Sequence, residues 1–366
     1  VDSEGVYHPG FYYGGRVECF ESGIIKGDFK VYDVNSMYPY AMKTMKHPIG
    51  RATHESTEVE DSTMFLTVTG TNRGAFPSVF KGKIYFDNPY GTFHVTRHEY
   101  DVATEFGLFD CERIERCINY EGRTATFEDF VNKFYNLRIQ AGIDGDEIMK
   151  LFYKFILNSA YGKFGQNPEN YKEYTITEAR TDLRSDGWEM ETLEHGDAYI
   201  VWSKPTKDTS RSNVATGASI TGAARSILLR GIATAKRPLY CDTDSIICSD
   251  LPLRSDPKEL GAWKVEARFN EAAIGGRKLY ALFETRKKMI DKLREESEDK
   301  KKFNKKMLYD GSVCVKQANK GVAVTPIDIW NVCNGHEIMS YRDAPSFKLD
   351  GSYNFISRTV RMTANM

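Results

Sequence analysis

Residues 240–245 read Tyr240-Cys241-Asp242-Thr243-Asp244-Ser245, an acidic tetrapeptide between two short strand-like runs. Asp242 and Asp244 lie two apart at a tight turn, and carboxylates that close repel unless a cation neutralises them. Two hard oxygen ligands suit Mg²⁺, which keeps waters and takes further ligands from substrate phosphates. Taken alone, D-x-D also reads as a solvated acidic turn. Working outward, Asp33 ends the strand-like run 28–34 within Asp33-Val34-Asn35-Ser36-Met37-Tyr38-Pro39. It supplies a third carboxylate, or equally a cap for a helix over 37–45.

Between these segments lies Lys154-Phe155-Ile156-Leu157-Asn158-Ser159-Ala160-Tyr161-Gly162, inside a helical pattern from about Asp146 to Phe164. Lys150, Lys154, Asn158 and Tyr161 fall on one helical face. Two cations, an amide and an aromatic ring on one face suit a nucleoside triphosphate, lysines on phosphates and tyrosine on the base. An exposed amphipathic face with lysine stems as cover is the other reading. A preceding helix, 126–141, breaks at Ala141-Gly142-Ile143-Asp144-Gly145. The resulting helical hairpin brings Arg138 toward the same phosphates.

The rest of the chain frames these segments. Residues 62–120 alternate strand-like runs with a helical stretch near 97–106. Residues 166–210 are polar and strand-poor, an inserted excursion. A long helix spans about 212–236. The stretch 284–310 holds ten Lys/Arg and seven Asp/Glu, the pattern of a solvated helical face. At 366 residues the chain is long enough for two or three compact units. Its net charge of −1 excludes a histone-like polycation but not a local basic groove. The uncharged run 212–224 is too short and too polar to cross a bilayer. Seven cysteines with no C-x-x-C pair argue against a disulfide scaffold or structural zinc and for a reducing, cytoplasmic setting. His94 and His98 lack the glutamate of a zincin helix, and no G-K-[ST] follows Gly14-Gly15 or Gly275-Gly276. A start at Val1 reads as a processed product or a piece of something longer.

Taken in order, the three segments resemble motifs A, B and C of family B DNA polymerases. D-x-x-S-L-Y-P is present with Met37 in place of Leu, and K-x-x-x-N-S-x-Y-G and Y-x-D-T-D-S are intact. Lesser matches resemble the protein-primed branch found in bacteriophages and linear plasmids. They are Tyr12-Tyr13-Gly14-Gly15 (Y-x-G-G), Thr221-Gly222-Ala223-Ala224-Arg225 (T-x-x-G/A-R) and Lys278-Leu279-Tyr280 (K-x-Y). By position, 50–125 and 166–210 correspond to that branch's two terminal-protein-region insertions, the second tied to strand displacement. With Y-x-G-G already at residue 12, no exonuclease fits ahead of it, so proofreading is expected to be absent from this chain.

The resemblance implies an α+β right hand with an antiparallel palm sheet. Its parts would be a linker at 1–27, palm at 28–125 and 211–281, a fingers hairpin at 126–164, an insertion at 165–210 and a thumb at 282–366. It implies DNA-directed DNA synthesis by two Mg²⁺ ions, Mn²⁺ substituting. Asp33, Asp244 and the Val34 carbonyl would be metal ligands, with Asp242 beside them. Lys154, Lys150 and Arg138 would neutralise the triphosphate. Tyr38 would exclude a 2′-hydroxyl, with Met37 beside it, and Tyr161 and Asn158 would cover the nascent base pair. Tyr12, Gly14, Gly15, Ser36, Ser159, Gly162, Thr221, Arg225, Lys278 and Tyr280 would bind template and primer. The partners implied are primer-template DNA, dNTPs and a terminal-protein primer, with a monomer in the cytoplasm of a phage host and no membrane. A primase-polymerase and an inactive DNA-binding homologue are the alternatives.

Overall fold

The computed structural model describes residues 10–165, 172–178, 182–191, 199–205, 213–297, 303, 306–308, 310–345 and 353–363. The chain opens with β1 (Val17–Cys19) and β2 (Gly23–Val34), then turns through Ser36 into α1 (Met37–Thr44). Next come β3 (His47–Pro48), β4 (His54–Ser56), β5 (Thr63–Asn72), β6 (Ser78–Phe80), β7 (Lys83–Tyr85), β8 (Tyr90–Thr96), α2 (Arg97–Glu105), β9 (Phe109–Asn119) and β10 (Thr124–Ala125). The helical hairpin is α3 (Glu128–Ile143) and α4 (Glu147–Phe164), as the glycine-containing break predicts. After β11 (Lys172–Glu178), β12 (Glu189–Glu191) and β13 (Tyr199–Pro205) comes α5 (Val214–Thr234). The chain returns through β14 (Lys236–Asp242), β15 (Ser245–Asp250), β16 (Trp263–Gly276), β17 (Leu279–Glu284) and α6 (Lys287–Glu295). The described chain ends with β18 (Val313–Asn319), α7 (Pro326–Cys333), β19 (Ile338–Pro345) and β20 (Tyr353–Val360).

Seven strands form the central antiparallel sheet, in the order β1-β14-β15-β2-β16-β17-β18. Both faces are apolar, and the period of two divides each strand between them. Val31, Tyr240 and Ile247 join one core with Phe29, Phe269 and Leu282. Their neighbours Tyr32, Cys241 and Ile246 join the other, with Trp263, Ala224 and Leu228. A second antiparallel sheet, β4-β9-β5-β8, packs its own core of Leu66, Val68, Phe76, Phe93 and Phe109.

Helix α5 joins the two sheets. Fifteen of its 21 residues are buried, and apart from Arg225 and Arg230 it is apolar or small on every side. The small residues are demanded by close approach: a Cβ on Gly222 would lie 2.3 Å from the Thr96 hydroxyl, and one on Gly231 2.6 Å from Trp263. Thr96 caps α2 in a box with Glu99, each bonding the other's backbone N–H.

One expectation is corrected. The excursion 166–210 is not strand-poor: β11, β13 and β12 form a three-stranded antiparallel sheet. Lys172–Glu178 carries the aromatic and β-branched run Tyr174-Thr175-Ile176-Thr177 between charged ends, so overall polarity hid a strand-forming segment. Residues 166–171, 179–181, 192–198 and 206–212 lie outside the described residues.

A buried polar chain crosses the junction of α1, α2, β3 and α5. His47 Nε2 lies 3.0 Å from the Ala41 carbonyl, and its Nδ1 lies 2.9 Å from Ser219 Oγ, which is 3.3 Å from His98 Nε2. A consistent assignment has His47 Nε2–H donating to Ala41, the Ser219 hydroxyl donating to His47, and His98 donating to Ser219. Burial favours the neutral form of both rings, pushing His47 down to about 3 and lowering His98, although the Lys46 carbonyl bonded to His98 works the other way. The folded values lie below the unfolded value near 6.5. The resulting stabilisation is therefore complete above pH 6.5 and lost as pH falls toward the folded values. Each ring withholding a proton makes stability fall by about 1.4 kcal/mol per pH unit. The His47 contribution to unfolding free energy is expected to drop by about 2 kcal/mol between pH 7 and pH 5, read by urea titration as the difference between wild type and His47→Gln. No change in that difference with pH would assign the acid sensitivity to other groups.

Candidate active site

Strands β14 and β15 meet in a tight hairpin. Thr243 sits in the left-handed region at φ 59°, which places Asp242 and Asp244 on either side of it. The turn is fixed from below: the Thr243 N–H donates to the Arg16 carbonyl at 2.7 Å, and its hydroxyl donates to Asp242 Oδ1 at 3.0 Å. A Cβ on Gly15 would lie 2.8 Å from Thr243, so this glycine lets its segment pass against the turn. On the other side, β2 pairs Asp33 with Ser245, and the Val34 N–H donates to the Asp244 carbonyl at 2.9 Å. Two neighbouring strand ends thus bring together the three acids singled out in the sequence.

Their environments differ. Asp33 lies 2.9 Å from the Lys264 ammonium, yet burial outweighs that pairing and raises its pKa. Asp242 is paired with Lys278. Glu266, exposed on β16, is paired with Lys316. Asp244 has no ion-pair partner among the described residues. Burial first, then the Asp33 charge, pushes its pKa up to about 6. A carboxylate held among like charges is poised for a cation. No cluster of three or more His, Cys, Asp or Glu able to hold a metal is found among the described residues. Asp33 and Asp244 could give a divalent cation two carboxylate ligands, with phosphate and water completing its shell.

The hairpin α3–α4 closes over this corner. Tyr161 on α4 stacks on Tyr38 at the start of α1, with ring centroids 4.1 Å apart and planes 9° from parallel. Burial raises the Tyr38 phenol's pKa, and Tyr161, Asp244 and Tyr12 add to the shift. Arg138 Nη1 donates to Ser36 Oγ at 3.2 Å, tying α3 to the same turn. Lys154, Asn158 and Ser159 are exposed on α4, while Leu157 anchors its buried side. Lys150 is held by Glu147 at 2.8 Å. A Cβ on Gly162 would meet nothing within 4 Å, so the protein's own packing does not require glycine there.

Several sequence candidates lie beneath the surface. Met37 and Val34 are each 1% exposed and face the core, leaving only their backbones for a ligand. Thr221 is buried and its hydroxyl donates to the Ala218 carbonyl. Arg225 is 3% exposed, bonded to both Glu99 oxygens and to the carbonyls of Tyr13 and Gly14. It holds the Tyr12–Gly15 segment from behind rather than presenting charge to a ligand. Tyr280 is also buried, edge-on to Tyr240 at 5.0 Å. Gly14 is exposed, and Tyr12 packs against Gly165 at the end of α4. Lys278, in the left-handed region at φ 60°, donates its N–H to the Tyr240 hydroxyl.

Lys264, Glu266, Lys316 and Glu99 were not singled out from the sequence. The alternation of Lys264 and Glu266 along β16, which puts both on one face, was the available signal for two of them.

Among the described residues no helix is long and apolar enough to cross a membrane. Residues 10–250 match the family described as DNA polymerase type B, organellar and viral. The chain is 42% identical to the DNA-directed DNA polymerase of Enterobacteria phage PRD1, covering 96% of this chain and 64% of that protein. It is 26% identical to the DNA polymerase of Bacillus phage phi29, covering 75% of this chain and 48% of that protein. The chain thus spans less than two thirds of the length of these relatives. Its fold matches Phi29 DNA polymerase complexed with primer-template DNA and incoming nucleotide substrates. That match has a TM-score of 0.63 at 19% identity, over 96% of this chain and 61% of that one. The α+β class and antiparallel sheet expected from the sequence are those of that polymerase fold.

Proposed function

Because the chain belongs to the organellar and viral type B DNA polymerases, we propose that it extends a DNA primer by template-directed transfer of deoxynucleotides. The observation that carries this reading is the meeting of Asp33, Asp242 and Asp244 at one corner, under a hairpin whose α4 exposes Lys154. Asp33 and Asp244, with the Val34 carbonyl, would hold two Mg²⁺ ions, Mn²⁺ substituting. Bound there, the ions would activate the primer 3′ oxygen and stabilise the departing pyrophosphate.

The protein's own groups do the rest. Lys154, Lys150 and Arg138 offset the triphosphate charge, Lys150 by leaving Glu147 and Arg138 by leaving Ser36. Tyr161 and Asn158 cover the new base pair. Lys278, paired with Asp242, and Tyr280 beneath it support the primer end. Tyr12, Gly14, Gly15, Ser36, Ser159 and Gly162 line the DNA side. Thr221 and Arg225 shape that side from behind. In this reading the seven-stranded sheet is the palm, 126–164 the fingers and the region after 282 the thumb. The Y-x-G-G, T-x-x-G/A-R and K-x-Y matches lead us to read the chain as primed by a terminal protein, with strand displacement assisted by 165–210 and action as a monomer in a host cytoplasm.

Tyr38 selects the sugar. Its ring is half-buried at the start of α1 and held by the Tyr161 stack, so a 2′-hydroxyl would press against it. Primer extension with Mg²⁺, comparing dNTPs with rNTPs, tests the whole reading. The wild type is expected to use dNTPs alone. Tyr38→Ala is expected to lose sugar discrimination by at least about tenfold. Equal use of both nucleotides by the wild type would remove Tyr38 from this role. No extension with DNA binding retained would point to an inactive homologue.

A further inference from the structure

We propose that Lys264 is a built-in counter-ion of the metal-binding acids: its ammonium holds Asp33 and must leave it before Asp33 and Asp244 take a divalent cation. This rests on the reading of those two acids as metal ligands. Lys264 faces Asp33 directly in the β2–β16 register, so two paired strands set its position. Its Nζ lies 2.9 Å from Asp33 Oδ1 and 3.9 Å from Glu266 Oε1. Glu266 is already joined to Lys316, and Asp242 to Lys278. Lys264 is thereby committed to Asp33, and Asp244 is left as the one acid of the four without a lysine among the described residues.

The arrangement allows release as well as holding. The Lys264 side chain is 31% exposed and flexible, so its ammonium can swing toward Glu266 or solvent. A divalent ion approaching Asp33 meets a charge of its own sign and must displace it. A triphosphate arriving with the ion brings further oxygen ligands and negative charge, which tips that exchange. Lys264 thus makes metal loading depend on the nucleotide. It is a positioning residue, acting through Asp33.

The test is Mn²⁺ binding to the full chain without DNA or nucleotide, read from the electron paramagnetic resonance of free Mn²⁺, with melting in EDTA alongside. Lys264→Met is expected to bind Mn²⁺ roughly tenfold more tightly than the wild type. Lys264→Arg should be no tighter, because the charge is kept. Lys264→Met should also melt below the wild type in EDTA and gain more on adding Mn²⁺. Lys264→Gln is the second neutral variant should the Met variant not fold. Unchanged Mn²⁺ affinity in the neutral variants, with Asp244→Asn abolishing binding, overturns the role of Lys264 alone. So does a loss of primer-template affinity at unchanged Mn²⁺ affinity, which would make Lys264 a DNA contact. Wild-type Mn²⁺ affinity in Asp244→Asn overturns the metal-ligand reading itself.

Discussion

Asp244→Asn is expected to lose at least about a thousandfold in primer extension while melting at a higher temperature than the wild type in EDTA above pH 6. The loss follows from removing a charged ligand: metal assistance is worth several kcal/mol, and each 1.4 kcal/mol is about tenfold in rate. The gain follows from the same carboxylate's surroundings. Burial and the Asp33 charge push its pKa up to about 6, above the unfolded value near 3.9. The folded state thus favours the protonated acid. Its contribution to stability is complete below about pH 4 and is lost as pH rises through 6. Above that pH the ionised group costs on the order of 1–2 kcal/mol, discounted for partial exposure. Asparagine keeps the shape and never ionises. The His47 and His98 contributions are common to both proteins and cancel in the difference. Adding Mg²⁺ should stabilise the wild type and not the variant. Melting curves at pH 5 and pH 8, with and without Mg²⁺, check this; a variant no more stable at pH 8 would show that Asp244 is not strained.

Arg225→Ala is expected to cost about 3–5 kcal/mol of folding stability, because it strands the Glu99 carboxylate in the core. The pair is 2.7 Å apart, with side chains 3% and 2% exposed. Arg225 also supplies donors to the carbonyls of Tyr13 and Gly14. The variant should therefore weaken primer-template binding as well, through the loosened 12–15 segment. Arg225→Met combined with Glu99→Leu should be less damaging than the sum of the single changes, since it removes both charges together. Urea unfolding of the wild type, Arg225→Ala, the two single variants and the double variant decides the matter. A loss below about 1 kcal/mol in Arg225→Ala would mean that water reaches Glu99 and that the pair is not a core element.

The site's acids were legible because each stood in a recognisable local setting, Asp33 at a strand end and Asp242 and Asp244 at a turn. The helical hairpin was legible from its glycine-containing break. The cationic partners were not: Trp-Lys-Val-Glu-Ala-Arg-Phe at 263–269 reads as an ordinary strand, and only the pairing of β16 with β2 puts Lys264 opposite Asp33. The burial of Arg225 was equally hidden. Its partner Glu99 is far away in sequence, and a motif on a helix does not say which side of that helix is covered. Met37 and Tyr280 make the same point, since each stands in a functional motif and packs into the core.

The strand order of the central sheet also bears on how this protein is made. β2 lies between β15 and β16, which emerge from the ribosome roughly two hundred residues later. At 5–20 residues per second, β2 waits on the order of ten to fifty seconds with both edges unpaired. The β4-β9-β5-β8 sheet closes on itself in the meantime, because all its strands fall between His54 and Asn119. Synthesis therefore passes through a stage in which one sheet is complete and the strand bearing Asp33 is exposed. Slow translation lengthens that stage.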